Sequence, residues 1–157
     1  GPPTGTGGNG QIDSGNWGEA AAAWAHMAAA GFLQGSYSGV AGGVTEYTDA
    51  ANPAAPANAW NGYLLLARTS DYAPGVAGQA ARLHLIMGRN VPVNIMRELD
   101  AKLDDGQPNG GILRSAAAGA AAFDPVSGSE PKCVLAGTPA IWDINVAAVD
   151  CNGYYLY

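Results

Sequence analysis

The chain has 157 residues, 48% of them hydrophobic, and a formal net charge of -6. This is the usual size of one domain, so a single globular unit over residues 1–157 is expected. Seven scattered Lys and Arg stand against thirteen Asp and Glu, which excludes a general binder of the nucleic-acid backbone, because such proteins gather positive charge on one face. No run approaches the ~20 apolar residues of a membrane-spanning helix, and none of these residues is expected to be a signal peptide.

Residues 1–15 are rich in Gly, Pro, Thr and Asn without periodicity and predict an irregular lead-in. Gly5, Gly7 and Gly10 match a dinucleotide-binding spacing, but that site needs a buried strand before the glycines and a helix directly after, so no cofactor is expected. Asn16 followed by Glu19 has the spacing of a capping box and predicts a helix start. Trp17, Trp24, Met27 and Phe32, linked through alanines, carry the helix to about residue 33, where Gly31 and Gly35 end it.

Residues 35–59 predict a long loop, with 44–47 extended and Pro53 and Pro56 excluding regular structure around them. Residues 60–68 and 81–87 read as two strands joined by a turn over 71–78, and an antiparallel hairpin is their simplest pairing. In the second strand Leu83, Leu85 and Met87 alternate with Arg82, His84 and Ile86. Pro92 suits a helix start, and Val93, Met96, Leu99 and Leu103 make one apolar face up to Gly106. Residues 112–115, 133–135 and 153–157 predict further strands; 116–122 and 141–149 give no clear signal. Helix, hairpin, helix and strands in this order predict an α+β domain whose antiparallel sheet is covered on one face by helices.

Much of the apolar content is alanine, which buries little area, so the core is expected to lean on large side chains. Those are Trp17, Trp24, Phe32, Trp60, Leu64, Leu66, Leu83, Leu85, Ile95, Leu99, Ile112 and Trp142.

Catalysis needs a convergent nucleophile, base and orienting group, and the inventory supplies none, so the chain is not expected to be an enzyme. His26 lies in the first predicted helix and His84 faces away from Leu83 and Leu85; each reads as a structural or surface histidine. Asp100, Asp104 and Asp105, with Gly106 and Asn109, are the one polar cluster. Three carboxylates could gather oxygen ligands for calcium, but Lys102 interrupts the pattern of a calcium loop, so successive turns are the preferred reading and no metal is expected.

Cys133 and Cys151 are the only cysteines, and neither has a metal-site neighbour. They fit a structural disulfide closing a loop of fewer than about twenty residues, which implies an oxidising compartment. Two buried free thiols in a cytosolic protein are the alternative. The aromatic tail Tyr154-Tyr155-Leu156-Tyr157 reads as a packed strand in preference to a stacking platform.

Two blocks carry a family likeness. The first runs Gly7-Gly8-Asn9-Gly10-Gln11-Ile12, then Glu19, Trp24-Ala25-His26-Met27, Ala30-Gly31-Phe32 and Gly35-Ser36-Tyr37. The second is Leu99-Asp100-Ala101-Lys102-Leu103-Asp104-Asp105-Gly106-Gln107-Pro108-Asn109-Gly110. Together they resemble type IV pilin-like and type II secretion pseudopilin-like proteins, the second block through an L-D-x-K-x-D-D-G-x-P-x-x-G segment. Met27 and Phe32-Leu33 stand where Leu and Leu-Ile are more usual in that pattern.

The resemblance implies a pilin-like head whose apolar N-terminal helix lies outside this sequence. It implies a structural subunit, anchored in the inner membrane by that helix, that assembles with copies of itself or other pilin-like subunits into a periplasmic pseudopilus or an extracellular filament. The Cys133…Cys151 pair fits the family's C-terminal disulfide. A minor pilin or a secreted adhesin-type module with an aromatic ligand surface is the alternative function.

Overall fold

The structure, a computed structural model, describes residues 9–14, 16–41, 54–70, 72, 78–116 and 133–157. The expectations for residues 1–8 of the lead-in, for 44–47 and for most of the 71–78 turn lie outside them, as do residues 117–122.

Among the described residues two helices and six strands follow in the order α1 (Trp17–Ala29), β1 (Leu65–Thr69), β2 (Arg82–Ile86), α2 (Val93–Leu103), β3 (Leu113–Ser115), β4 (Val134–Leu135), β5 (Ile141–Trp142) and β6 (Gly153–Leu156). The main sheet is antiparallel throughout, in the order β1-β2-β6-β3, while β4 and β5 pair separately. The fold is therefore α+β with an antiparallel sheet, and the β1–β2 hairpin pairs with Ala67 opposite His84. The C-terminal strand β6 occupies an interior position of the sheet, between β2 and β3.

Helix α1 begins where the capping signal lies, but only half of the box forms. Asn16 Oδ1 accepts the Glu19 amide at 3.1 Å, whereas Glu19 Oε2 accepts the amide of Asp13 at 2.8 Å, three residues ahead of the cap. The helix ends at Ala29, short of the expected residue 33. Gly31 takes a φ of +80°, and the amides of Gly31 and Phe32 bond back to the carbonyls of Ala28 and Met27. These bonds satisfy the last carbonyls and turn the chain off the helix axis.

The strand expected from residue 60 starts only at Leu65. Asn58 holds the preceding segment in a turn: its Oδ1 accepts the amides of Trp60 at 2.8 Å and Gly62 at 2.9 Å, and its amide nitrogen donates to the carbonyls of Met87 and Arg89. Short-range side-chain bonds of this kind compete successfully with strand pairing. Strands β2, β3, β4 and β6 form within the expected segments, each shortened by a residue or more at an end, and β5 forms at the start of 141–149, a segment without a clear signal in the sequence.

Residues opposite one another in an antiparallel sheet share a face. Leu65, Ala67, His84, Ile86, Tyr154 and Leu156 thus line one side, where α1 contributes Ala20, Ala21 and Trp24 to form the first core. The second core gathers Val91, Val93, Met96, Trp142, Ala148 and the two half-cystines beneath α2 and the β4–β5 hairpin.

These cores correct the expected list of large residues. Phe32, Trp60, Ile95 and Ile112 are exposed, Phe32 to 81%, and Leu64, Leu66, Leu83 and Leu85 are only partly buried. Alanines take much of the interior, among them Ala20, Ala21, Ala54, Ala67 and Ala148. A helix faced with alanine approaches a sheet closely, so tight contact offsets the small area each methyl buries.

Candidate functional site

The acidic block is the most organised polar region. Helix α2 buries Val93, Met96 and Asp100, so the expected apolar face continues through an aspartate; Leu99 is half-buried and Leu103 is 47% exposed. Asp100 has no exposed surface. Its Oδ2 accepts the Trp142 indole Nε1–H at 2.6 Å, and its Oδ1 accepts the Gly106 amide at 3.3 Å. A carboxylate in this position joins α2 to β5 across the second core, as a leucine could not.

The next two aspartates shape the chain reversal from α2 into β3. Asp104 Oδ2 accepts the amides of Ile112 and of Leu113, the latter at 3.1 Å. Asp105 Oδ1 accepts the Gln107 amide at 2.8 Å, closing a tight turn. Gly111 has a φ of +54°, and a Cβ at that position would collide with the Asp104 carboxylate. Each acidic side chain therefore satisfies backbone or indole donors at the end of α2, which accounts for acidic residues at a helix terminus where the dipole disfavours them.

Asp100, Asp104 and Asp105 each place one oxygen within 4.8 Å of the others, and among the described residues they are the group that could hold a hard cation. The hydrogen bonds above engage an oxygen of every one of them, which favours the turn reading. Burial raises the Asp100 carboxyl above its ordinary value; the Trp142 and Gly106 hydrogen bonds act against this, and the neighbouring charges of Asp105 and Asp104 add to it.

Cys133 and Cys151 form the disulfide, with S–S 2.06 Å and Cα–Cα 5.8 Å. Cys151 also pairs with Val91 through two backbone hydrogen bonds, and Trp142 pairs with Val134 beside Cys133. The bridge, the indole and Asp100 thus brace the same hairpin. Sequence reasoning set the disulfide and the acidic cluster apart, while the fold brings them together through Trp142, which the sequence marked as a large core side chain.

The two histidines occupy opposite environments. His26 is exposed on the last turn of α1. His84 is fully buried in the first core, so the surface reading of that residue is excluded. Its side of β2 is the buried one, whereas the side bearing Leu83 and Leu85 is half-covered.

No family model, no curated protein and no solved structure matches this chain.

Proposed function

We propose that this chain is the head of a type IV pilin-like or pseudopilin-like subunit, which acts by assembling with copies of itself or related subunits. The observation that carries the reading is the block from Leu99 to Gly110. The residues that give it its family likeness, Asp100, Asp104, Asp105 and Gly106, act together as one structural corner that ties α2, β3 and the disulfide hairpin. A braced corner beside a disulfide suits a scaffold under mechanical and chemical stress better than a site that must bind and release a substrate. No helix among the described residues is long and apolar enough to cross a membrane, and in this reading the anchoring and packing helix is contributed by chain ahead of Gly1.

Two measurements test this. The coding sequence ahead of residue 1 is expected to specify a short basic leader ending in Gly, followed by a long apolar helix with a Glu near its start. Sheared surface filaments or isolated secretion complexes from the source cell are expected to contain the protein. A native chain that begins at Gly1 and is absent from such fractions would overturn the assignment.

A further inference from the structure

We propose that the first core carries an acid-labile latch, in which proton uptake at His84 Nδ1 requires the β1–β2 end of the main sheet to open. The ring lies on the inward side of β2 with no exposed surface. His84 Nε2 is 2.9 Å from the Thr69 carbonyl oxygen. A carbonyl can only accept, so Nε2 carries the hydrogen of the neutral ring and Nδ1 is left bare. Nδ1 is buried and has no hydrogen-bond partner among the described residues. The next proton must therefore land on an atom that no acceptor awaits.

Among the described residues the surroundings offer that charge nothing. From the adjoining segments the edges and faces of Tyr72 and Tyr154 enclose the ring, at centroid distances of 4.7 and 5.6 Å. The Tyr72 hydroxyl donates to Ala80 O at 2.9 Å. Strand β3 brings Arg114 over the Tyr72 ring, 5.5 Å from its centroid, and β2 itself carries Arg82 two residues away. Across the core α1 presents Ala20, Ala21 and Trp24, and its Glu19 accepts the Asp13 amide. None of the charges acting on the ring from the described residues is a carboxylate; both are arginines. Burial and these two cations hold the imidazole below its ordinary 6.5, against the opposing pull of the Thr69 carbonyl.

The route to water is short. Thr69 pairs with Arg82 at the last rung of the β1–β2 ladder, and Arg82 is exposed. Parting that rung releases the Thr69 carbonyl and lets the ring reach solvent, where it takes the proton. Acid therefore favours states in which this end of the sheet is open.

The sequence contains two histidines, so a ring-resonance titration of the folded protein has only His26 beside the one of interest. From pH 7.5 to 5.5 the His84 ring is expected to keep the neutral, Nε2-protonated signature for as long as the sheet signals persist. Over the same range the unfolding constant of the wild type is expected to rise, approaching about tenfold per pH unit below 6.5. His84→Gln, whose amide can still donate to Thr69, is expected to lose that slope. Reversible protonation of His84 at 6.5 or above with the sheet intact would overturn the proposal, as would an unchanged slope in His84→Gln. Should that variant fail to fold, the wild-type titration decides alone.

Discussion

The two cores each bury a titratable group, and they treat it in opposite ways. In the second core both oxygens of Asp100 accept hydrogen bonds, from an indole and a backbone amide. In the first, His84 is satisfied on one nitrogen and bare on the other. A fully bonded buried group braces the elements that supply its donors, whereas a half-bonded one makes its surroundings sensitive to protons. The same chain therefore has one end closed by a disulfide and a carboxylate–indole bond, and another whose buried histidine is bonded on one side only.

The largest effect that would break this contrast is Trp142→Ala. It removes a 2%-exposed indole from the second core and leaves Asp100 Oδ2 without a donor, and it should cost about 4 kcal/mol in a denaturant titration. Replacing both half-cystines by alanine should cost about 3 kcal/mol by freeing the loop in the unfolded chain. Non-reducing mass spectrometry of the wild type should show two hydrogens fewer than the dithiol. If the bridge proves dispensable, the rigidity of this end rests on Asp100 alone.

Asp100→Asn should cost only about 1 kcal/mol, since its carbonyl can still accept from Trp142. The pH response sharpens the comparison. Because the folded state raises the Asp100 carboxyl above its ordinary 3.8, its contribution to stability is full below that value and is lost as pH rises through the folded pKa. His84 has the reverse sign: its contribution is full above 6.5 and falls as pH drops toward the lowered folded value. Stability curves of Asp100→Asn and His84→Gln, each subtracted from the wild type, should therefore slope in opposite directions.

The smallest expected effects are at the edges of both regions. Asn16→Ala should cost about 1 kcal/mol through the lost cap on α1. Calcium should leave the melting temperature unchanged, because the oxygens at the acidic corner already serve backbone and indole donors; a rise of several degrees would make that corner a cation site.

Much of this was legible in local signals. The Asn16 cap, the hairpin, the turn chemistry of Asp105-Gly106 and the stop at Gly31 depend on neighbours along the chain, where short-range sterics and hydrogen bonding act. Periodicity misjudged the C-terminal half of α2, where Leu103 is exposed and an aspartate is buried. Asp100 lies four residues after Met96 on the same face as Leu99 and Leu103, and a polar residue there reads as exposed unless its distant partner, Trp142, is known. It misjudged β2 similarly: alternation separates the Leu83 and Leu85 side from the His84 and Ile86 side, but carries no information about which side α1 will cover. The burial of alanine in place of Phe32 and Trp60 also depends on how closely α1 approaches the sheet.

The sequence by itself determined where both helices start, most of the segments that extend, and that Cys133 pairs with Cys151 if it pairs within these residues. Tertiary structure decided the insertion of β6 between β2 and β3, the meeting of Asp100 with Trp142, and the burial of His84 with one nitrogen unpaired. The physical reason is range: caps and turns are set by atoms a few residues apart, while the cost or benefit of a buried polar group depends on partners brought together only when the chain has folded.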